Sequence, residues 1–425
     1  MLALDWLLIA IVLLGALPLA AGCYQFALAG LHWFRRDGTG APFHPRVAVV
    51  IPAWNESAVI GRTLDALAAL RYPREALRVY VVDDGRTDGT GDAVEERSRA
   101  HPGLVFLLRR PNGGQGKAHT LNHGLRHVAR EGWFEAVLII DADVLVTPDA
   151  LAHLTRHLAT PGVGAVTAYI KEGSRPGTFL SRFIAFEYVT AQAAGRRAFN
   201  LLLVQACLAG GAQLISRESL EAIGCEIDVG TLAEDTVTTF RIQLAGARVV
   251  FDPHALVWAE EPRDVRGLWR QRLRWGRGNF QVTERFRRVW LRPWRHHGLG
   301  SLSFALIWFT TAWMPVFLVL SSAALYAAWF LDPQLSTHAF QGLWAVNLGT
   351  YVFITLSSFS IDPETARRAW PQGLLFPGVV SLLLMQYAVY PPLDDLALAW
   401  RLGAAGCRPW SRSCARRCCS SRTGG

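Results

Sequence analysis

Four short stretches, Val47 to Ile51, Leu77 to Val82, Val105 to Leu108 and Ala136 to Ile140, are almost wholly apolar, and helix-length polar or amphipathic segments separate them. Runs of this length read as buried strands. Strands alternating with helices predict βαβ units and a parallel sheet, so the fold class is α/β. Three of the strands end on chemically loaded residues. Pro52-Ala53-Trp54-Asn55-Glu56 follows the first, Asp83-Asp84-Gly85-Arg86-Thr87-Asp88-Gly89 closes the second, and Asp141-Ala142-Asp143 follows the fourth. Ligands of open α/β sheets bind outside the carboxyl ends of the strands, so these acids are expected to share one crevice.

Each acidic stretch has a plain structural reading beside its functional one. Asp83 and Asp84 suit hydrogen bonds from a ribose or a base, and equally suit a strand-to-helix turn with an Asp cap. Asp141 and Asp143 would repel each other at the end of a buried strand unless a cation sat between them, which points to Mg²⁺ or Mn²⁺ with oxygen ligands. Such a metal would neutralise charge developing on a departing diphosphate. Asn112-Gly113-Gly114-Gln115-Gly116-Lys117 lacks P-loop spacing; Lys117 opens an expected helix, His119 to Ala129, whose N-terminus would accept an anion, or it is a solvated lysine after a glycine turn. Ala233-Glu234-Asp235 opens the expected helix Thr236 to Ala245, either as a cap or with Asp235 as a general base. Gln271-Arg272-Leu273-Arg274-Trp275 offers an amide, a guanidinium and an indole, with Gln271 and Trp275 four apart on one helical face. Arg274 suits a diphosphate and the Trp275 face suits a pyranose; a basic amphipathic helix with an aromatic membrane anchor is the alternative.

The rest of the chain is greasy, with 51% hydrophobic residues among 425. Leu7 to Phe34, Leu302 to Phe330, Leu343 to Phe359 and Leu374 to Tyr390 contain no Lys, Arg, Asp or Glu, and each approaches or exceeds the roughly 20 residues that span a bilayer. At least three are expected to cross. The first reads as an uncleaved anchor, because it is too long for a signal-peptide core. Arg35-Arg36 after it places the polar domain in the cytoplasm. The net charge of +9 comes from arginine, since Lys117 and Lys171 are the only lysines. Its main cluster, Arg263 to Arg295, adjoins a hydrophobic span, so membrane lipid is the expected partner, and with no groove-reading motif nucleic acid is not. Phe179 to Leu203 reads as a helix, interfacial or core, and Arg270 to Arg288 as a basic helix along the membrane. Of seven cysteines, Cys407, Cys414, Cys418 and Cys419 crowd a tail that reads as disordered. One anchor plus three later spans would put this arginine-rich tail outside, against the positive-inside rule.

In their order and placement these stretches resemble the processive membrane family 2 glycosyltransferases, the group of cellulose, chitin, hyaluronan and poly-N-acetylglucosamine synthases. The resemblance runs from about residue 45 to 300. It implies a GT-A domain, Rossmann-like with a mixed sheet, and inverting transfer from a UDP-sugar, UDP-N-acetylglucosamine above all, onto a growing β-linked polysaccharide. It implies that Glu56, Asp83 or Asp84, Lys117, Asp141 and Arg274 bind the nucleotide sugar and that Asp143 with Asp141 holds the metal. Asp235 is then the general base, and Gln271 and Trp275 bind the acceptor. Arg86 stands where the family usually has Ser, and Ala233 where it has Thr. The run from Gln271 to Gly278 looks nearer the poly-N-acetylglucosamine synthases than the cellulose ones.

The expected organisation is an anchor at 1–35, a glycosyltransferase domain at 45–260, an interfacial segment at 261–300, spans at 301–393 and a tail at 394–425, working in the inner membrane with a partner export subunit. Two other functions fit parts of the pattern. One adds one or two sugars to a membrane lipid; the other is a transporter or scaffold that binds nucleotide sugar without turnover.

Overall fold

A computed structural model describes residues 2–33, 41–85, 88–174, 177–330 and 332–372. In chain order its elements are α1 (Leu2–Trp33), β1 (Val47–Ala53), α2 (Ile60–Ala68), β2 (Leu77–Asp83), α3 (Thr90–Ala100), β3 (Val105–Arg109), α4 (Lys117–Glu131), β4 (Ala136–Ile140) and β5 (Val144–Val146). There follow α5 (Ala150–Leu158), β6 (Val163–Glu172), α6 (Phe179–Tyr188), a π-helical turn (Val189–Ala194), α7 (Gly195–Leu201), β7 (Ala212–Ser216), α8 (Arg217–Ala222), α9 (Glu234–Leu244) and β8 (Arg248–Ala259). Last come α10 (Val265–Arg285), α11 (Pro293–His296), α12 (Leu302–Trp329), α13 (Pro333–Ile361) and a helical stretch at 363–372.

The eight strands form one sheet in the order β3-β2-β1-β4-β7-β6-β8-β5. The four apolar runs make its parallel half: β2 lies between β3 and β1, and β1 between β2 and β4. The alternation of strand and helix accounts for this parallel half, and the whole sheet is mixed, as the resemblance implies, because β7 runs antiparallel to both β4 and β6 and β5 antiparallel to β8. The second half was hard to read because β8 carries Asp252-Pro253-His254 in mid-strand. Proline donates no ladder bond. The strand absorbs the interruption as a register shift, from Thr167 opposite Phe251 to Tyr169 opposite Leu256.

Helices cover both faces of the parallel half, which is why its strands are continuously apolar. Val49, Ile51, Val79, Val81 and Leu138 pack with Ile60, Leu64 and Leu67 of α2 on one face. Val50, Tyr80, Val82 and Ile139 pack with Leu121, Leu125 and Val128 of α4 on the other. Burying each such side chain stabilises the fold by about 1.5–3 kcal/mol. Gly124 lets α4 approach closely, since a Cβ there would lie 2.8 Å from both Val50 and Val82. The tight seat of α4 fixes where its first residue, Lys117, must stand.

A third cluster joins the domain to the helices beyond it. Phe240 of α9 meets Phe286, Trp290, Phe304 and Trp308 at ring separations of 5.0, 5.9, 5.9 and 5.5 Å. α1 packs along α12, α13 and α7. Of the two readings of 179–203, the core one fits, because α6 buries Phe183, Ile184, Phe186 and Tyr188. Among the described residues, no helix is long and apolar enough to cross a membrane; many central side chains of α1 and α12 fall outside that description. The fourth apolar run, Leu374 to Tyr390, and the cysteine-rich tail lie outside the described residues altogether.

Candidate active site

Beyond the carboxyl ends of β1, β2 and β4 opens a cleft of about 510 Å³, lined by Trp54, Glu56, Asp84, Lys117, Asp141, Asp143 and Arg274 among others. Asp141 and Asp143 reach it because β4 stops at Ile140. Burial, with the neighbouring charge of Asp141, pushes the Asp143 carboxyl up to about 6. Burial and the charges of Asp143, Asp141 and Asp88 push Glu56 up to about 7. The Glu56 loop is pinned through Thr90: Glu56 N donates to Thr90 Oγ1 at 2.9 Å, and Thr90 Oγ1 donates to Asp88 Oδ1 at 2.7 Å. Glu56 and Asp143, two partly desolvated carboxyls beside Asp141, are a donor set suited to a hard divalent cation. Among the described residues no group of three His, Cys, Asp or Glu is close enough to hold a metal by itself, so substrate oxygens would have to complete the shell.

Lys117 supplies the opposing charge. Its Nζ pairs with Asp141 and lies 3.9 Å from Glu234. Burial would lower its pKa, but Asp141, Glu234 and Asp235 together hold it above its ordinary value. Gly210, just before β7, marks the point where the charges meet. A Cβ there would lie 3.5 Å from Asp235 Oδ2, 3.5 Å from Lys117 Nζ and 4.0 Å from Asp141 Oδ2. Asp235 stands in the first turn of α9, its other oxygen accepting from Thr236 N at 2.7 Å. Side chains from three separate stretches of sequence therefore face one small space beside Gly210.

The structure separates the two adjacent acids of β2. Asp84, 2% exposed, lines the cleft and is bound by the Arg110 guanidinium and by Gly114 N at 2.8 Å. Asp83 does not line it; its Oδ1 accepts from Gly85 N at 3.2 Å. Arg110 also donates to Gln115 Oε1 at 2.8 Å, so this buried pair shapes the glycine loop. The glycines serve that packing, since a Cβ on Gly113 would stand 1.4 Å from the Asp84 carbonyl oxygen.

The 271–275 stretch divides similarly. Arg274 lines the cleft. Gln271 does not: its Nε2 donates to Glu261 Oε2 at 3.1 Å, and its Oε1 accepts from Arg272 at 2.6 Å. Arg272 is buried, pairs with Glu187 at 2.5 Å, and lays its guanidinium 4.0 Å over the ring of Trp275. Trp275 is 36% exposed and lies outside the cleft lining. Sequence reasoning passed over Arg110, Arg272, Glu187, Glu261 and Trp54. Arg110 follows a strand end as the acids do, and Arg272 is three residues from Trp275 on a helix; Glu187 and Glu261 carried no signal.

A family model described as glycosyltransferase-like family 2 matches residues 44–278. A probable glycosyltransferase of Bacillus subtilis, YdaM, is 31% identical over 323 residues, 75% of either chain. A poly-β-1,6-N-acetyl-D-glucosamine synthase of Staphylococcus epidermidis is 24% identical over 321 residues, 74% of this chain and 73% of that one. Among solved structures, the mannosyltransferase PcManGT of Pyrobaculum calidifontis, in complex with GDP-Man and Mn²⁺, is 26% identical with a TM-score of 0.63, covering 89% of this chain and 99% of its own. The mixed sheet described above is thus a GT-A-like fold, and the chain belongs to glycosyltransferase family 2 and is a glycosyltransferase.

Proposed function

We propose that this enzyme is an inverting, processive glycosyltransferase that extends a β-linked polysaccharide from a UDP-sugar, UDP-N-acetylglucosamine first among them. The observation that carries the reading is the convergence of Asp235, Lys117 and Asp141 on the open space at Gly210, beside the cleft that holds Glu56, Asp84, Asp143 and Arg274. In this reading Asp84 receives the nucleoside, while Lys117 and Arg274 receive the diphosphate. Asp235 takes the proton from the acceptor hydroxyl as its oxygen bonds to the donor sugar's anomeric carbon. The bond from that carbon to the diphosphate oxygen breaks on the opposite face, UDP leaves, and an α-linked donor gives a β-linkage. A Mg²⁺ or Mn²⁺ ion bound by Asp141 and Asp143 would supply Lewis-acid neutralisation of the leaving diphosphate. Trp275 offers the acceptor an aromatic face, and Gln271 serves by holding Arg272 against it.

The likeness to a poly-N-acetylglucosamine synthase supports the polymer and its N-acetylglucosamine unit. α1, α12 and α13 cover three of the four charge-free runs, which supports membrane spans around a cytoplasmic domain at 45–260, with the basic segment 261–300 at the lipid surface. The same donor site fits a second reading, transfer of one or two sugars to a membrane lipid, and the likeness to a mannosyltransferase in complex with GDP-Man adds GDP-mannose as a donor to test. Purified protein in lipid nanodiscs, given radiolabelled UDP-N-acetylglucosamine, UDP-glucose or GDP-mannose in turn, is expected to release UDP and build long chains from the first. A lipid-soluble product of one or two sugars would replace the polymerase reading with the second.

A further inference from the structure

A second cavity, of about 830 Å³, shares Asp143 with the donor cleft as a lining residue. That volume is within the roughly 300–1,000 Å³ of ligand sites. Its walls come from the outer ends of β6 and β8, from α6, and from one face of the helical stretch 363–372, which presents Glu364, Thr365, Arg368 and Ala369. This last wall is held by a built latch. Asp362 accepts from Lys171 at 2.9 Å, from the Tyr169 hydroxyl at 2.8 Å and from Thr365 N at 3.1 Å, tying the helix after α13 to strand β6. One of the chain's two lysines is therefore spent on shaping this groove.

The lining is polar and charge-balanced. Arg62 and Arg263 flank Glu260 at 2.5 and 3.7 Å, and Arg368 pairs with Glu364 at 3.0 Å. Glu172 accepts from Ser174 N at 2.8 Å. Exposed Arg182 makes no side-chain hydrogen bond or ion pair among the described residues, and Trp258 contributes a partly buried ring. A phosphate or acidic lipid headgroup would call for a clear excess of positive charge. Paired acid–base groups, hydroxyls and an indole instead match an uncharged, hydroxyl-rich chain.

We infer that this groove is a carbohydrate subsite that holds the glycan beside the donor cleft, at a place that includes neither Gln271 nor Trp275. The inference rests on the glycosyl-transfer reading and adds to it where the chain lies. The test uses the full chain in nanodiscs with UDP present, and a β-linked N-acetylglucosamine tetrasaccharide as probe, its affinity followed by saturation-transfer NMR. Arg182→Ala is expected to weaken tetrasaccharide binding about ten-fold with UDP affinity unchanged, and Arg182→Lys to restore part of it. Trp258→Phe, which keeps an aromatic ring in β8, is expected to shift the probe's ring-proton saturation pattern. Equal tetrasaccharide affinity in wild type and Arg182→Ala, no tetrasaccharide binding by wild type, or binding of decyl phosphate in its place would each overturn the subsite. Sugar transfer is measured in the same preparation: absence of UDP release from every donor would sink the enzyme reading, whatever the groove binds.

Discussion

Asp84 is buried and Asp143 half-buried, both at strand ends, yet their surroundings assign them different work. Asp143 sits among like charges, so Asp143→Asn relieves repulsion on Glu56. Its melting temperature is expected to stay level or rise slightly while turnover is lost and the Mg²⁺ or Mn²⁺ concentration dependence of activity disappears, a separation read by parallel melting and metal-titrated assays. Asp84 instead has Arg110 as a neutralising partner, with side chains 2% and 8% exposed. Removing one member of a buried pair strands the other, so Arg110→Ala is expected to cost about 3–5 kcal/mol, visible as a large drop in melting temperature. The carboxylates were legible in the sequence because strand ends announce them. The pairing was not: which of Asp83 and Asp84 turns into the cleft depends on Arg110 and on a glycine loop from another part of the chain.

At the scale of elements, two contacts hold the site's supports in place. The seat of α4 on β1 and β2 requires Gly124, so Gly124→Val is expected to destabilise the fold by about 1–3 kcal/mol and to weaken donor binding by shifting Lys117, measured by melting and UDP-sugar titration. At the other side, fully buried Asp252 of β8 accepts from His157 at 2.7 Å and Arg156 at 3.0 Å on α5. Burial alone would raise its pKa, but the bond and charge of His157, a backbone N–H and Arg156 outweigh burial and bring it to about 2. The folded value lies below the unfolded one near 3.9, so this contribution, about 2–3 kcal/mol, is full above roughly pH 4 and lost as pH falls toward 2. Melting temperatures across that window are expected to fall in wild type and to fall less in Asp252→Asn. Strands β1, β2 and β4 were readable because both faces are buried, and the edge strand β3 because its half-buried run is still apolar. Strands β5 to β8 were not, since β5 is three residues long and β8 hides its period behind Asp252-Pro253-His254.

For the whole molecule, the aromatic cluster around Phe240 and the latch at Asp362 bind the helices beyond residue 300 to the catalytic domain at two separate places. The position of α10 follows from both the sheet and that cluster: a Cβ on Gly278 would lie 2.8 Å from the Cβ of Ala233, two residues before Asp235. The helix carrying Arg274 and Trp275 and the turn carrying Asp235 are thereby fixed to each other, a long-range relation that no local periodicity encodes. We propose Asp235 as the base in a site otherwise assembled for the donor, and Asp235→Asn compared with wild type in nanodiscs is the decisive measurement. UDP-sugar affinity by titration is expected to stay within about two-fold while the transfer rate falls by about 10²- to 10⁴-fold, the range of general-base catalysis. Loss of donor affinity in step with rate, or transfer at near wild-type rate, would contradict it.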